Sequence, residues 1–207
     1  MRTLRPLLVC GVILGCAPAP SPVSPLALTL NRQAGAVATG AEIVLSDSVA
    51  AAASPVSLPA DVVPELRTMH PQVGLEDSIR ALFRAPFGRS AIGYILRLPS
   101  TEGPYLALTV YRATDGHWTA PIMLAQVYGD PGFSRQGRSW LLDLDGDGYF
   151  EIVSRWQTSD FDTEREDEPP IVTDSLAVLR LEEGQLRATP AGAGDALWMR
   201  FCLPNGS

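Results

Sequence analysis

The sequence predicts a mainly β fold: an antiparallel meander sheet with one short helix, preceded by a signal peptide and a Pro-rich tether. Three observations lead there. Runs of strand length, rich in β-branched and aromatic residues, follow one another from Ala91 onward. Short turn signals separate them, which favours antiparallel neighbours over crossover connections. One segment alone, Gly74 to Arg84, carries a convincing helical apolar period.

The chain has 207 residues, enough for one domain and a tail. With 46% hydrophobic and 19% charged residues it belongs among globular chains. All 16 basic residues are Arg, so Lys-based chemistry such as a Schiff base or a Walker-A phosphate loop is excluded. The formal net charge of −7 argues against a nucleic-acid partner.

The first element is an address. Arg2 and Arg5 precede an apolar stretch, Leu7 to Leu14, and Gly15-Cys16 follows. A charged start and so short an apolar core read as a secretion signal, too short to span a bilayer. The run Ile13-Leu14-Gly15-Cys16 resembles the lipobox of bacterial lipoproteins. That resemblance implies cleavage before Cys16, diacylation of its sulfur and a firm membrane anchor; Ala17 in the next position implies sorting to the outer membrane. The competing cut after Ala17-Pro18-Ala19 would leave Pro20 directly behind it. Residues 1–15 are then the signal peptide, 16–64 a lipid-anchored tether and 65–207 the β domain. With Cys10 removed and Cys16 lipidated, Cys202 is left without an intramolecular disulfide partner.

Ala17 to Pro25 reads APAPSPVSP, a composition that favours extended polyproline II. Leu26 to Leu30 and Ala41 to Leu45 have the length of short strands, but Ala50 to Ala53 and Pro55, Pro59 and Pro64 interrupt any regular pattern. Order over residues 26–64 stays open at this level.

In the helix candidate, Leu75, Ile79, Leu82 and Phe83 share one face, Glu76 and Asp77 sit in the first turn, and Pro86 supplies the stop. Strands are predicted at Ala91–Leu98, Tyr105–Arg112, Trp118–Tyr128, Ser139–Leu142, Phe150–Trp156, Ser175–Leu181 and Gln185–Thr189. Alternation over Tyr105–Arg112 puts Tyr105, Ala107, Thr109 and Tyr111 on one face and Leu106, Leu108 and Val110 on the other. Glu182-Glu183-Gly184 is a hairpin signal.

Between two of these strands, residues 143–151 read DLDGDGYFE. Asp143, Asp145, Asp147 and Glu151 stand at loop positions 1, 3, 5 and 9, and the Tyr149 carbonyl falls at position 7. Odd spacing turns the carboxylates inward as the backbone curls, and Gly146 and Gly148 permit the positive φ the curl needs. With Glu151 bidentate, this set reaches the roughly six to eight oxygens that Ca²⁺ takes. No His or thiol is near in sequence, which argues against Zn²⁺ or Cu²⁺. Position 12 is Ser154, so neither an EF-hand nor a dockerin repeat is written here. The segment Ser139 to Val153, SWLLDLDGDGYFEIV, resembles the FG-GAP/VCBS repeats of integrin-type β-propellers. The resemblance implies a strand into the loop, a strand out of it, and Ca²⁺ held by Asp143, Asp145, Asp147, Tyr149 and Glu151. A single copy cannot build a propeller of four or more blades. The expectation is the loop and its hairpin.

Weaker signals read as structure. The run 160–168 holds six acids, Asp160, Asp162, Glu164, Glu166, Asp167 and Glu168, and reads as a solvated loop that has room for an extra ligand from Asp160 or Asp162. His70 and His117 are expected at the surface or in turns, Cys202 as a small apolar residue, and Trp140 and Trp156 in the core. The function expected is a non-enzymatic, Ca²⁺-stabilised binding or structural module of the cell envelope. It would be anchored to the membrane by its N-terminal lipid, with a protein or glycan as ligand. Two other roles stay open: an envelope inhibitor that binds an extracellular protein such as a lysozyme, and a hydrolase of envelope polymers using paired carboxylates.

Anchoring is directly measurable. Expressed in a bacterium fed labelled palmitate, the wild-type chain takes up label and Cys16→Ser does not; equal labelling of both removes the lipoprotein reading.

Overall fold

A computed structural model describes residues 24–46, 59, 61–71, 79–161 and 169–203. The signal peptide, Cys16 and the start of the tether lie outside the described residues. The described chain is mainly β. Its strands are β1 (Gly35–Ala36), β2 (Ile43–Leu45), β3 (Arg80–Gly88), β4 (Ala91–Leu98), β5 (Tyr105–Arg112) and β6 (His117–Trp118). After these come β7 (Ile122–Asp130), β8 (Phe133–Leu142), β9 (Glu151–Asp160), β10 (Ile171–Glu182) and β11 (Gln185–Pro190). Helices are α1 (Pro25–Gln33), α2 (Val63–Met69) and α3 (Leu197–Arg200).

The strands form one open sheet in the order β1-β3-β4-β5-β7-β8-β9-β10-β11, with β6 beside β5 and β2 beside β8. From β3 to β11 every pairing is antiparallel, and the short β1–β3 contact is parallel. β7 is where the sheet changes partners. Its residues Ile122 to Ala125 pair with β5, and Gln126 to Asp130 pair with β8. β2 takes the place beside β8 at Ser139 to Leu141 that β7 has left. The two halves then fold toward each other: the Phe150 amide donates to the Pro86 carbonyl at 2.8 Å, joining the end of the β8–β9 loop to β3.

Three apolar cores follow. The inner one takes Leu82, Ala85 and Phe87 of β3, Ile95 of β4 and Leu106, Leu108 and Val110 of β5, packed with Leu141, Ile152 and Leu179 from the other half. The outer face of β4 and β5 presents Tyr94, Leu96, Leu98, Tyr105, Ala107 and Tyr111, and α1 and α2 cover it with Leu26, Ala27, Leu30 and Leu66. The third core packs Trp140, Leu142, Val153, Leu176 and Val178 under Phe201 at the end of α3. The two faces of β5 thus separate as the alternation predicts, and both are buried.

α1 replaces the short strand expected at Leu26 to Leu30. Ser24 caps it by accepting the Ala27 amide at 3.0 Å, and Pro25 sits at the first turn, where it forfeits no helical bond. Leu26, Ala27 and Leu30 then line one buried stripe, at roughly 1.5–3 kcal/mol per fully buried leucine. A polar clasp holds the helix in place. Glu65 of α2 accepts from Ser24 Oγ at 2.5 Å, from the Leu26 amide at 3.3 Å and from Trp118 Nε1 at 2.7 Å. Its carboxylate stands at the positive end of α1. Part of the stretch expected as tether therefore belongs to the domain.

The helix expected at Gly74 to Arg84 is corrected over its described part, where residues 80–88 are strand β3; residues 74–78 lie outside the described residues. The cause is a bulge between Ala81 and Phe83. Ile79 and Ala81 face the outer core, whereas Phe83, Ala85 and Phe87 face the inner one. The register slip reverses a period-two pattern and leaves apolar residues at 79, 82 and 83, which imitates a helical face. Pro86 is exposed within β3, at a second register shift. Trp118 to Tyr128 is likewise two strands, because Thr119 to Pro121 break it and the Thr119 side chain and amide pair with Val110.

Ala91–Leu98 and Tyr105–Arg112 stand with the predicted bounds. The β10–β11 hairpin closes through Glu183 (φ 50°) and Gly184 (φ 80°), two successive positive φ values that match the right-handed twist of its strands. Trp140 is core and stacks against Phe201 at 5.0 Å. His117 is exposed, as expected, and stands at the start of β6. His70 is not at the surface: it caps α2 at 0% exposure, and neither ring nitrogen has a hydrogen-bond partner among the described residues. The helix ends against the outer core, so its last residue is carried inside. Cys202 is exposed, with its thiol near the Met199 carbonyl at 3.4 Å.

Burial lowers the His70 pKa from 6.5 to about 4. The unfolded chain binds this proton below pH 6.5 and the folded one only near pH 4. Stability therefore falls as pH drops through that window, by roughly 3 kcal/mol in all. Urea melts of wild type and His70→Phe from pH 7 to 4 should show that the variant lacks this part of the acid slope; parallel profiles would refute it.

Candidate metal centre

The acidic loop spans the tip of the β8–β9 hairpin. Leu142 and Glu151 are directly paired, so the ladder runs to the two ends of the loop and holds them a strand's spacing apart. Inside, the backbone coils around Asp143. Its two carboxylate oxygens accept the Gly146 amide at 2.8 Å and the Gly148 amide at 3.0 Å. Asp145 accepts the Asp147 amide at 3.3 Å, and Asp147 accepts the Tyr149 amide at 2.8 Å. These short side-chain-to-backbone bonds are what Asp offers a tight turn. Gly146 and Gly148 lie at φ 80° and 88°, the left-handed region, with open space around each.

Asp143, Asp145 and Glu151 converge, each offering a carboxylate oxygen within 4.8 Å of the others. The structure therefore brings together three of the four carboxylates expected as ligands. Asp147 is outside this group and turns toward Tyr149, whose own amide it holds. Asp162 lies outside the described residues, and Asp160 is at the far end of β9.

Glu151 differs from the aspartates in burial. It is 6% exposed, and one oxygen accepts the Leu144 amide at 2.7 Å. Burial pushes its carboxyl above the usual range, and the Asp145 charge adds to this; the Leu144 amide and Arg180 pull the other way. Arg180 was not legible in the sequence. It stands on β10, one step beyond the Leu179–Ile152 pair, and reaches Glu151 at 3.4 Å and Asp145 at 3.8 Å. A residue 29 positions away joins the cluster only through strand register.

The donor set suits a hard cation. All side-chain donors are carboxylate oxygens, and the three converging groups carry up to three negative charges that one guanidinium only partly offsets. The arrangement could hold a metal ion, with Asp143, Asp145 and Glu151 as its anchors.

A second concave feature lies elsewhere. The β10–β11 hairpin leans on the β5–β6 corner across a cleft of about 580 Å³ whose walls include Arg112, His117, Trp118 and Gln185. Arg112 is held there by Asp115 at 2.7 Å.

Fold and loop together define a curled, mainly β domain with a cluster of three carboxylates at a hairpin tip that could hold a metal ion. Comparison of the chain with protein-family models, with curated protein sequences and with solved structures found no match.

The glycines give a direct test of the loop conformation. Gly148→Ala puts a side chain at φ 88° with no steric neighbour, so only backbone strain changes. Chemical denaturation should show a loss of about 1–2 kcal/mol, whereas an unchanged midpoint would mean the loop adopts another conformation.

Proposed function

We propose that this protein is a lipid-anchored cell-envelope protein whose β domain is a Ca²⁺-stabilised, non-enzymatic binding or structural module. One observation carries the metal part: three carboxylates from a nine-residue loop converge within 4.8 Å at a hairpin tip. Ca²⁺ is favoured over Mg²⁺ because it accepts a flexible set of oxygens, among them a bidentate Glu, whereas Mg²⁺ demands tight octahedral geometry and keeps its waters. The anchor part rests on the Arg2, Arg5 and Ile13-Leu14-Gly15-Cys16 pattern. No helix among the described residues is long and apolar enough to cross a membrane.

The ion acts as a staple. It ties Asp143 and Asp145 to Glu151, the first residue of β9, and so fixes the entry and exit of the hairpin. With Cys202 the one thiol beyond the lipidated Cys16, no intramolecular disulfide can take over that role.

Calcium linkage tests the reading. Free Ca²⁺ about 100-fold above its Kd adds about 2.7 kcal/mol to the native state. That corresponds to roughly 5–10 °C in melting temperature for a domain of this size. Asp145→Ala should remove the Ca²⁺-dependent increment and leave the EDTA melting temperature unchanged or raised, because a repelling charge is gone. Identical wild-type melting in millimolar Ca²⁺ and in EDTA, with no heat of binding in titration, overturns the site.

A further inference from the structure

Arg112 ends the inner face of β5, next in line after Leu106, Leu108 and Val110. It lines the cleft of about 580 Å³ between the β5–β6 corner and the β10–β11 hairpin, a volume within the range of small-molecule sites. His117 is its direct cross-strand partner, so the two side chains stand on the same side of the ladder. The hairpin turn forms the facing wall. Gly184, at φ 80°, comes so close to Arg112 that a Cβ there would collide with Nη1. The absent side chain is what seats the guanidinium against the turn. Ile122 and Leu186 give the cleft apolar walls, and both also pack on the inner core.

The lining is one-signed. Among the described residues that form it, Arg112 and His117 are basic and none is acidic, although the whole chain carries a net charge of −7. Asp115 holds Arg112 Nη2 at 2.7 Å but is not part of the lining, and Nε has no hydrogen-bond partner among the described residues. A guanidinium engaged at one terminal nitrogen keeps donors for a second planar oxyanion. Gln185, an exposed residue of the same cleft, adds an amide donor. Trp118 offers no indole N–H here, because its Nε1 donates to Glu65 and its ring packs on Tyr94 and Tyr111.

We propose that this cleft binds a small organic carboxylate with an apolar body. The carboxylate meets Arg112, with His117 and Gln185 beside it, and the apolar part lies against Ile122 and Leu186. Basic groups without an acid among them set the sign of the ligand, and the apolar walls set the character of its other end. The inference rests on the reading of the domain as a binding module and deepens it by naming the ligand class.

The test uses full-length protein in nonionic detergent micelles, with isotope-labelled histidine rings. The chain has two histidines, His117 in the cleft and His70 buried at the end of α2. Titration with phenylacetate at constant pH, followed by NMR, should move the His117 ring signals saturably and leave those of His70 in place. Phenylacetamide, the same body without the charge, should bind at least about tenfold more weakly. Arg112→Gln should weaken phenylacetate by a similar factor. Ala120→Trp, at an exposed residue of the cleft, fills the space without changing charge and should do the same at an unchanged melting temperature. Absence of a saturable His117 shift overturns the proposal. So does equal affinity for phenylacetamide, or undiminished binding by Ala120→Trp or by folded Arg112→Gln. If Arg112→Gln does not fold, phenylacetamide and Ala120→Trp decide. Palmitate labelling and Ca²⁺-dependent melting are read on the same preparations, so absence of phenylacetate binding with both retained overturns the cleft alone.

Discussion

A central strand with apolar residues on both faces must be covered twice, and the rest of this structure answers that constraint. β5 buries Leu106, Leu108 and Val110 on one side and Tyr105, Ala107 and Tyr111 on the other. A flat meander would leave one of these faces in water. The chain covers the first by curling the sheet at β7, so that Leu141, Ile152 and Leu179 come over it. It covers the second with α1 and α2, drawn from the Pro-rich stretch that precedes the strands. The curl and the N-terminal helices are two solutions to one burial problem.

Polar groups then fix what burial leaves loose. Apolar contact sets no unique orientation for a nine-residue helix lying on a sheet. Glu65 supplies one by gathering Ser24, the Leu26 amide and the Trp118 indole. It joins α1, α2 and β6 through a single carboxylate, at the end of α1 where negative charge is favoured. Trp118 in turn packs on Tyr111 at 4.9 Å and Tyr94 at 5.7 Å, so the clasp is seated on the outer core. The hairpin-tip loop shows the same division of labour. Its coil comes from local bonds to Asp143, and its charge balance comes from Arg180, delivered by the neighbouring strand.

Legibility in the sequence followed the range of the forces involved. The bounds of β4 and β5, the two faces of β5, the Glu183-Gly184 turn and the coil of the Asp/Gly loop all rest on interactions within a few residues, and all were readable. Ser24-Pro25 is a local helix-start signal of the same kind, and it marks α1 although the short length of Leu26 to Leu30 suggests a strand. The β3 segment misled for a different reason. One extra residue at the Ala81–Phe83 bulge changes which face each later residue takes, and a reader of the one-dimensional pattern meets apolar spacing that fits a helix.

The sequence by itself determined the mainly β character, the order of the antiparallel strands and the acidic loop with its positive-φ glycines, because turn chemistry and side-chain alternation act between near neighbours. The tertiary structure alone decided that β7 divides its pairing between β5 and β8, that β3 is a strand, that His70 is buried and that Arg180 meets Glu151 and Asp145. Each of these depends on strand register and on which faces find cover. Such choices are settled by contacts between residues tens of positions apart, and no local period records them.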